Sequence, residues 1–372
     1  MPRVSVLVAT YNAAPFVRAT VASVLSQTYT DLEVIVVDDG STDGTVEVLG
    51  AYAGHPRVRL DRQTNAGPSA AFNRARSLAG GQLLAVLDGD DLCWPERIER
   101  QVRFLDDHPK VGLVGTGARL VTENGVPFGV LRYPCEDAAI RQHIWRGERG
   151  PHPAFCGASM MFRAEALDSA GGWVNTYKTA QDTDVILRVA ERTQIANLSD
   201  VLYDYRIHGA QISQDAALEK AAARYAVREA ARSRRRGEAV PAWCISPPSR
   251  AELEHLLSDA RELDRMAYDR MIYIASTWAL RGGHARVGQA AQQAALLAGR
   301  RRLGKAAEAR ARVLSAIAAW CSGDRREASR ELGRAIQLSP GAVSAELRAA
   351  LGRRAHRLRH RAVLSLPGPR VG

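Results

Sequence analysis

Short apolar runs alternate with amphipathic segments along the first part of the chain. The first two apolar runs are rich in β-branched residues, a pattern typical of strands that are buried on both faces of a sheet. The apolar runs occupy residues 4–10, 32–37, 58–60 and 83–87. Apolar positions recur at helical spacing over residues 16–25, and a second helix is predicted to open after residues 65–67. Strands that alternate with helices indicate βαβ units, so we predict an α/β domain with a mainly parallel sheet.

The same alternation continues to about residue 210. A helix is predicted over residues 97–107, and strands are predicted over residues 111–115, 158–162 and 202–208. The segment 127–153 is mixed in pattern and interrupted by proline, and a further helix is predicted to begin at Gln181. We therefore assign residues 1–215 to the α/β domain.

The remaining residues, 216–372, have no strand pattern and consist of amphipathic helical segments rich in Ala, Arg, Leu and Glu. Residues 278–284 and 319–325 each contain a Gly turn that is followed by an Ala-rich helical segment. Helix, Gly turn and helix is the layout of a tetratricopeptide-like hairpin, although two copies are too few to define a repeat array. We predict a second, all-α domain over residues 216–372 with tetratricopeptide-like character.

Charge is divided unevenly between these two predicted domains. Residues 216–372 contain 30 Lys/Arg and 14 Asp/Glu, a net charge of +16. The other 21 basic and 26 acidic residues give residues 1–215 a net charge of −5. The basic runs carry no interleaved aromatic side chains for base stacking, so we do not expect nucleic acid as a partner. The amphipathic, Arg-rich segment 345–364 instead favours docking on an anionic membrane surface.

The cysteines and the apolar pattern indicate the compartment. Five cysteines are widely spaced without a C-x-x-C pair, which argues against a disulfide framework and against structural zinc. The first residues lead directly into a strand pattern without a signal-peptide layout, and no apolar run reaches the ~18 residues of a spanning helix. We expect a cytoplasmic protein, peripheral to the inner face of the membrane if the basic segment docks there.

Three carboxylates follow the apolar run 83–87, in the order Asp88, Gly89, Asp90 and Asp91. Like charges this close repel one another, so burying them requires a cation or hydrogen-bond donors. The cluster is therefore either a solvated turn or the site of a hard divalent metal with oxygen ligands. Ligands of open α/β sheets bind outside the carboxyl ends of the strands, which favours the metal site.

Several motifs in the same order resemble the family 2 GT-A glycosyltransferases, whose nucleotide-binding domain is Rossmann-like. They are VSVLVATYN (4–12), VVDDGSTDGT (36–45), NAGPSAAFN (65–73), LDGDD (87–91) and the later Gln181-Asp182. The resemblance covers about residues 1–210. It implies an inverting enzyme that moves a sugar from a nucleotide-sugar, most commonly a UDP-sugar, to an acceptor hydroxyl with Mg²⁺ or Mn²⁺. It also suggests a role in bacterial cell-surface glycan or polysaccharide synthesis, with a glycan or lipid-linked acceptor.

The resemblance implies a donor site at the ends of the first strands. The first loop would hold the base and ribose through Ala9, Thr10 and Tyr11, with Tyr11 stacking, and Asp39 would hydrogen-bond the base. The helix that opens after Asn65 and Gly67 would turn free N–H groups toward the phosphates. Many relatives have Arg-Asn at the end of this motif. Here the pair is Phe72-Asn73, and Arg74 is displaced by two positions from the place of the family's arginine.

The pair Asp88 and Asp90 resembles the family's D-x-D motif. In that reading Asp88 would contact the ribose or a metal-bound water, with Gly89 beside it, and Asp90 would ligate the metal that bridges the diphosphate. Asp91 would support either group. His208 resembles a position that binds the metal or the diphosphate, although a lone His is more often a hydrogen-bonded structural residue.

Asp182 resembles the family's catalytic base, which stands at a helix start after a Gly-Gly-aromatic loop, here Gly171-Gly172-Trp173. Single displacement at the anomeric carbon requires a base on the acceptor side. Asp184 is the alternative base or an acceptor contact, and either aspartate could simply cap its helix. Trp173 could line the acceptor site or belong to the core. Gln181 replaces the more common Glu.

Three other functions compete with this interpretation. A nucleotidyltransferase would need a Gly-rich basic loop after the first strand, and residues 9–14 lack it. A non-catalytic scaffold that acts through its helical domain would not need Asp88, Asp90 and Asp182. Nucleic-acid binding would need stacking aromatic side chains, which the basic runs lack. We therefore predict a metal-dependent glycosyltransferase of the hexosyltransferase type.

Overall fold

The computed structural model describes residues 2–145, 154–177, 179–209, 217–245, 268–269, 271–272, 284–300 and 303–346. The strands are β1 Val4–Thr10, β2 Leu32–Asp38, β3 Val58–Arg62, β4 Leu83–Asp88, β5 Leu92–Cys93, β6 Val111–Thr122, β7 Pro127–Leu131, β8 Met161–Arg163 and β9 Gln194–Ile207. The helices between them are α1 Val17–Leu25, α2 Thr45–Leu49, α3 Pro68–Leu78, α4 Arg97–Asp107, α5 Asp137–Trp145, α6 Ala164–Ser169 and α7 Gln181–Ala190. They are followed by α8 Ala217–Arg236, α9 Ala242–Ile245, α10 His284–Arg300, α11 Lys305–Cys321 and α12 Arg325–Leu338.

The strands of the described residues form one sheet in the order β3-β2-β1-β4-β8-β6-β9-β5, with β7 paired to β6. Strand β1 pairs in parallel with β2 and β4, β2 pairs in parallel with β3, and β6 pairs in parallel with β9. The shorter β8, β5 and β7 pair antiparallel. Most paired residues therefore lie in parallel pairs, and the predicted α/β class with a mainly parallel sheet is confirmed. The carboxyl ends of β1, β2 and β4 meet at one edge.

Both faces of this sheet are covered, which is why its strands read as continuous apolar runs. Leu7 and Leu84 belong to one core layer, together with Phe72 of helix α3. Val6 and Val8 point to the opposite layer, where helices α1 and α4 pack. Because side chains alternate along a strand, a strand between two apolar layers needs apolar residues at consecutive positions.

One predicted strand is shorter than expected. Residues 158–162 were predicted to be extended, but Gly157–Ser159 forms a 3-10 turn and strand β8 begins only at Met161. The backbone groups of Ser159 explain the difference, because its N–H donates to the Cys156 carbonyl at 3.0 Å and its carbonyl accepts a side-chain N–H, so neither group pairs with the backbone of a neighbouring strand. The Ser159 hydroxyl accepts the Thr116 N–H at 3.1 Å, and its carbonyl accepts Gln101 Nε2 at 2.9 Å.

In the described part of the chain beyond residue 216 only helices occur, as predicted for that region. Helix α8 packs in the same core as helix α7, with Val227 and Ala231 in the layer that contains Val185. Helices α10 and α11 share a second core with β-strand residues that include Leu120 and Ile207. Within the described residues, no helix has both the length and the apolar character to cross a bilayer.

The tetratricopeptide-like character and the domain boundary at residue 215 stay predictions. The turn predicted at residues 319–325 does join helices α11 and α12. Residues 278–283 lie outside the described residues, and so do residues 347–364 of the proposed membrane-docking segment.

Candidate active site

The acidic cluster lies at the carboxyl end of β4, beside the end of β1. Oxygens of Asp88, Asp90 and Asp91 lie within 4.8 Å of one another. The Gly89 N–H donates to the Ala9 carbonyl at 3.0 Å, which holds the turn against β1. A Cβ at Gly89 would stand 2.5 Å from Thr10 Oγ1, so only glycine fits at this position without a shift. The packing of two strand ends therefore places the three carboxylates together.

Asp91 differs from the other two aspartates because both of its oxygens are already bonded within the protein. The fully buried carboxylate accepts the Tyr203 hydroxyl at 2.7 Å and the Arg206 N–H at 2.7 Å. Burial, followed by the neighbouring charges of Asp90 and Asp88, raises the pKa of Asp91 well above its ordinary value. Asp91 thus fastens the acidic turn to strand β9, and it is less available as a metal ligand.

The remaining carboxylates form a site with excess negative charge. Burial raises the pKa of Asp88 to about 7, and the charges of Asp90 and Asp182 add to that effect. The buried guanidinium of Arg97 opposes it. Arg97 donates to the Val86 carbonyl at 2.8 Å and is held inside the fold. Hard oxygen donors with uncompensated charge suit a divalent ion such as Mg²⁺ or Mn²⁺, so the residues present fit the predicted metal.

The end of β9 encloses Asp90 from the other side. His208 Nε2 lies 2.9 Å from Asp90 Oδ2, and Arg206 Nε donates to the Asp90 carbonyl at 2.7 Å. The Phe16 ring stands 4.7 Å from the His208 ring and 5.0 Å from the Arg206 guanidinium. The structure therefore brings His208 to the aspartate that was predicted to bind metal, while its role as a ligand stays a prediction.

The two aspartates of helix α7 point in different directions. Asp184 is buried, and its Oδ2 accepts Arg188 Nε at 2.9 Å within the helix. Asp182 lies in the first turn of the helix, and its charge contributes to the raised pKa of Asp88. Two positions on a helix differ by about 200° in direction, so only one of the pair can face the acidic edge. That residue is Asp182.

The first two loops are joined beside this edge. Asn12 has a left-handed backbone at φ +50°. Its N–H donates to Ser41 Oγ at 2.8 Å, and its Oδ1 accepts the Thr42 N–H at 2.9 Å. Tyr11 is 46% exposed, which leaves its ring open to stacking. The buried Thr10 Oγ1 has no hydrogen-bond partner among the described residues, as expected of a group that meets a ligand.

Asp39 holds the third motif in place. Its Oδ1 accepts Gln63 Nε2 at 2.7 Å and the Ala66 N–H at 2.9 Å, and its Oδ2 accepts the Gly67 N–H at 2.8 Å. The N–H groups of Ala66 and Gly67 are therefore occupied inside the protein, whereas the sequence suggested that the opening of this helix is free. Pro68, the first residue of α3, has no N–H, so donors toward a phosphate begin one residue later. The backbone of Asn65 lies at Gly40, where an added Cβ would stand 2.8 Å from its nitrogen.

Two other predicted residues lie elsewhere. Arg74 Nε pairs with Asp61 Oδ2 of β3 at 2.5 Å, and no ion pair joins it to the acidic cluster within the described residues. Trp173 is 3% exposed and stacks on Phe72 with ring centroids 5.2 Å apart. The backbone N–H of Trp173 donates to Asn73 Oδ1 at 3.0 Å. The structure favours the core role for Trp173, and Phe72, which departs from the family pattern, makes the stacking contact with it.

Comparison with known proteins agrees with this geometry. The model of glycosyl transferase family 2 matches residues 5–171. EpsE of Bacillus subtilis (strain 168), a glycosyltransferase by name, is 35% identical over 211 residues, which cover 55% of this chain and 73% of that protein. The chain belongs to glycosyltransferase family 2.

Other relatives of this glycosyltransferase are longer or more distant. The chondroitin synthase of Escherichia coli is 31% identical over 215 residues, but the match spans only 30% of that protein. Among solved structures, S. aureus TarS is 17% identical with a TM-score of 0.51, covering 89% of this chain and 54% of that one. Residues 1–349 of TarS in complex with UDP-GlcNAc are 18% identical with a TM-score of 0.50, covering 89% of both chains. These structures support the fold.

The sequence of the glycosyltransferase also contains a signal for the position of Arg206. Arg206 and His208 are two positions apart on an extended segment, and the period of two places them on one side. Both contact Asp90 in the structure. Phe16 and Tyr203 gave no signal beyond an ordinary apolar pattern. Their contribution depends on which distant elements they meet.

Proposed function

We propose that this glycosyltransferase moves a sugar from a nucleoside-diphosphate sugar to an acceptor hydroxyl by one displacement that inverts the anomeric centre. One observation carries the proposal: Asp182 of helix α7 stands close enough to Asp88 for its charge to contribute to the raised pKa of that residue. A candidate base and a candidate metal site therefore face the same edge of the sheet, where the donor and the acceptor must meet.

The proposed donor site has a base end and a diphosphate end. Tyr11 would stack on the base, and the buried Thr10 hydroxyl would find its partner on the nucleoside. Asp88 and Asp90, with His208 beside Asp90, would hold a Mg²⁺ or Mn²⁺ ion at the diphosphate. Such an ion acts as a Lewis acid that neutralises the charge of the leaving diphosphate.

Asp182 is the proposed catalytic base. The acceptor oxygen forms a bond to the anomeric carbon while the bond from that carbon to the diphosphate oxygen breaks. The acceptor proton passes to the Asp182 carboxylate. Asp182 Oδ1 accepts the Thr183 N–H at 2.7 Å, whereas Oδ2 has no hydrogen-bond partner among the described residues. Oδ2 is therefore the oxygen assigned to the acceptor proton.

The donor class and the acceptor are proposed from the fold comparison and from the family resemblance. TarS, which has a similar fold, is known in complex with UDP-GlcNAc, and this supports a UDP-sugar as the first donor to test. A surface glycan or lipid-linked acceptor follows from the family resemblance.

Docking of the Arg-rich end on anionic lipid remains a proposal from sequence. The full-length protein should sediment with phosphatidylglycerol vesicles, and deletion of residues 341–372 should abolish this co-sedimentation. Equal, salt-insensitive binding of both forms would contradict the docking proposal.

A binding panel tests the proposed function. UDP, GDP, dTDP and CDP, each with Mn²⁺, with Mg²⁺ or with EDTA, are compared by calorimetry and thermal shift on the wild type and on Asp90→Ala. One nucleotide should stabilise the protein only with metal, by about 2.7 kcal/mol at a hundred-fold excess over Kd. Asp90→Ala should lose that response. Stabilisation by no nucleotide under any metal condition would refute the proposed function.

Turnover separates the base from the donor site. Asp182→Asn should keep metal-dependent nucleotide binding and lose nucleoside-diphosphate release from a panel of UDP-glucose, UDP-galactose, UDP-GlcNAc and GDP-mannose. Asp184→Asn is the matched control on the same helix. Because Asp184 bonds to Arg188, this control should lower thermal stability and leave turnover per folded molecule close to wild type. A fully active Asp182→Asn would refute the assignment of the base.

A further inference from the structure

The candidate base lies against Gly157, the first residue of the 3-10 turn Gly157–Ser159. A Cβ built on Gly157 would stand 3.0 Å from Asp182 Oδ2 and 3.1 Å from Asp182 Cβ. A separation near 3.0 Å is shorter than ordinary van der Waals contact, so even one methyl group would press on the carboxylate. The atom it would press on is Oδ2, the oxygen without a hydrogen-bond partner among the described residues.

The conformation of Gly157 does not require glycine. The residue opens the 3-10 turn Gly157–Ser159 and is absent from the glycines with positive φ. Alanine could therefore adopt the same backbone without strain. The structure therefore explains the glycine at this position by the limited space beside Asp182. Gly157→Ala changes that space without straining the backbone.

The turn that contains Gly157 is held in place by hydrogen bonds to several neighbouring elements. The Ser159 hydroxyl donates to the Cys156 carbonyl at 2.9 Å and accepts the Thr116 N–H at 3.1 Å. Gln101 Nε2 donates to the Ser159 carbonyl at 2.9 Å, and the side chains of Gln101 and Ser159 are fully buried. Crowding at Gly157 must therefore be relieved by the half-buried side chain of Asp182, because the turn is held from several sides.

We propose that Gly157 is a positioning residue. Because it has no side chain, the Asp182 carboxylate can lie directly against the backbone of the turn, and this contact sets its position. The proposal rests on the catalytic role proposed above for Asp182. On its other side the Asp182 carboxylate accepts the Thr183 N–H at 2.7 Å, and Ala180, which precedes helix α7, has a left-handed backbone with φ +64°. The carboxylate is thus confined between the start of its own helix and the backbone of the turn at Gly157.

The test compares Gly157→Ala with Gly129→Ala. At Gly129 a Cβ would stand 3.2 Å from Leu120 Cδ1, a similar crowding on strand β7 that involves no proposed site residue. Nucleoside-diphosphate release should fall roughly 10- to 100-fold in Gly157→Ala, since misplacing a catalytic group by a fraction of an ångström to 1 Å has such an effect. The Kd for the nucleotide with Mn²⁺ should stay unchanged. Gly129→Ala should keep the wild-type rate.

A double-mutant cycle shows whether the effect passes through Asp182. In the Asp182→Asn background, Gly157→Ala should cause no further loss of residual turnover. An equal loss in both backgrounds would mean that Gly157 acts on the fold in general, and would overturn the proposal. An inactive Asp182→Asn together with a fully active Gly157→Ala would overturn this proposal alone, whereas a fully active Asp182→Asn would overturn the base assignment as well.

Crystal structures of the wild type and of Gly157→Ala test the contact between Gly157 and Asp182 without a turnover assay. In the structure of Gly157→Ala the Asp182 carboxylate should move by several tenths of an ångström or change rotamer, while Asp88 and Asp90 superpose on the wild type. A carboxylate that superposes on the wild type, with the added methyl group accommodated by the turn, would overturn the proposal.

Discussion

Replacing Asp91 by alanine should destabilise the fold, although its neighbour Asp90 is the proposed metal ligand. Asp91 accepts hydrogen bonds from the Tyr203 hydroxyl and the Arg206 N–H, both at 2.7 Å and both buried. A buried donor that loses its acceptor costs about 1–3 kcal/mol, so two donors cost roughly 2–6 kcal/mol. Removing the repulsion between Asp91 and the other two carboxylates offsets part of this loss. We expect the net effect in the lower half of that range, about 2–4 kcal/mol.

Urea unfolding of the metal-free protein, followed by tryptophan fluorescence and circular dichroism, measures this effect. Asp91→Asn keeps one acceptor oxygen and the side-chain volume, so its loss should be smaller, about 1 kcal/mol. Tyr203→Phe removes one donor together with its hydroxyl and should also cost about 1 kcal/mol. In the cycle with Asp91→Ala the two losses should be strongly non-additive, because both variants remove the same hydrogen bond.

Asp90→Ala is the contrasting control. It should keep the wild-type urea midpoint in the absence of metal and lose the stabilisation by Mn²⁺ with nucleotide. The reasoning would be refuted by an Asp91→Ala protein with the wild-type urea midpoint but no response to Mn²⁺. That outcome would make Asp91 the metal ligand and would mean that Tyr203 and Arg206 find other partners.

Three further predictions concern the same edge of the sheet. The pKa of Asp88 is about 7 in the fold against an ordinary 3.8, so the folded state binds more protons between these values. The free energy of unfolding without metal should therefore fall as the pH rises through that window, and urea titrations at several pH values should show a weaker fall in Asp88→Asn. Burial raises the pKa of Cys156 to about 12, so mass spectrometry should find this thiol unmodified by iodoacetamide at neutral pH until the protein unfolds. Gly89→Ala should cost about 1–3 kcal/mol in urea unfolding through overpacking, because its Cβ would stand 2.5 Å from Thr10 Oγ1; a wild-type midpoint would contradict that contact.

The strands and their order along the chain could be predicted because they depend on consecutive residues. A strand between two apolar layers is apolar at consecutive positions, as residues 83–87 show throughout and residues 4–10 show except at Ser5 and Thr10. The acidic group after β4 was likewise predictable, since the carboxyl ends of parallel strands meet at one edge. The 3-10 turn Gly157–Ser159 was not, because the partners of Ser159 come from elements far away in sequence.

Motif order alone was enough to identify the family, and the comparisons confirm it. The assignment of roles within the motifs was less accessible. Arg74 was a candidate for the phosphates, yet its guanidinium pairs with Asp61 on an exposed surface. Asp39 was a candidate for the base, and its carboxylate accepts hydrogen bonds from Gln63 Nε2 and from the N–H groups of Ala66 and Gly67. A residue type at the expected spacing shows where a group could lie, but its hydrogen bonds depend on its neighbours.

The sequence by itself determined the α/β class, the position of the acidic edge and the family of this protein, because local periodicity and motif order are properties of the chain. Only the tertiary structure decided among the chemically identical carboxylates. Asp91 is committed to Tyr203 and Arg206, which are 112 and 115 residues away, so it fastens the fold while Asp88 and Asp90 stay available. Asp182 faces that edge, and Asp184 turns toward Arg188. Each distinction arises from what folding brings beside an aspartate, since the side chains themselves are the same.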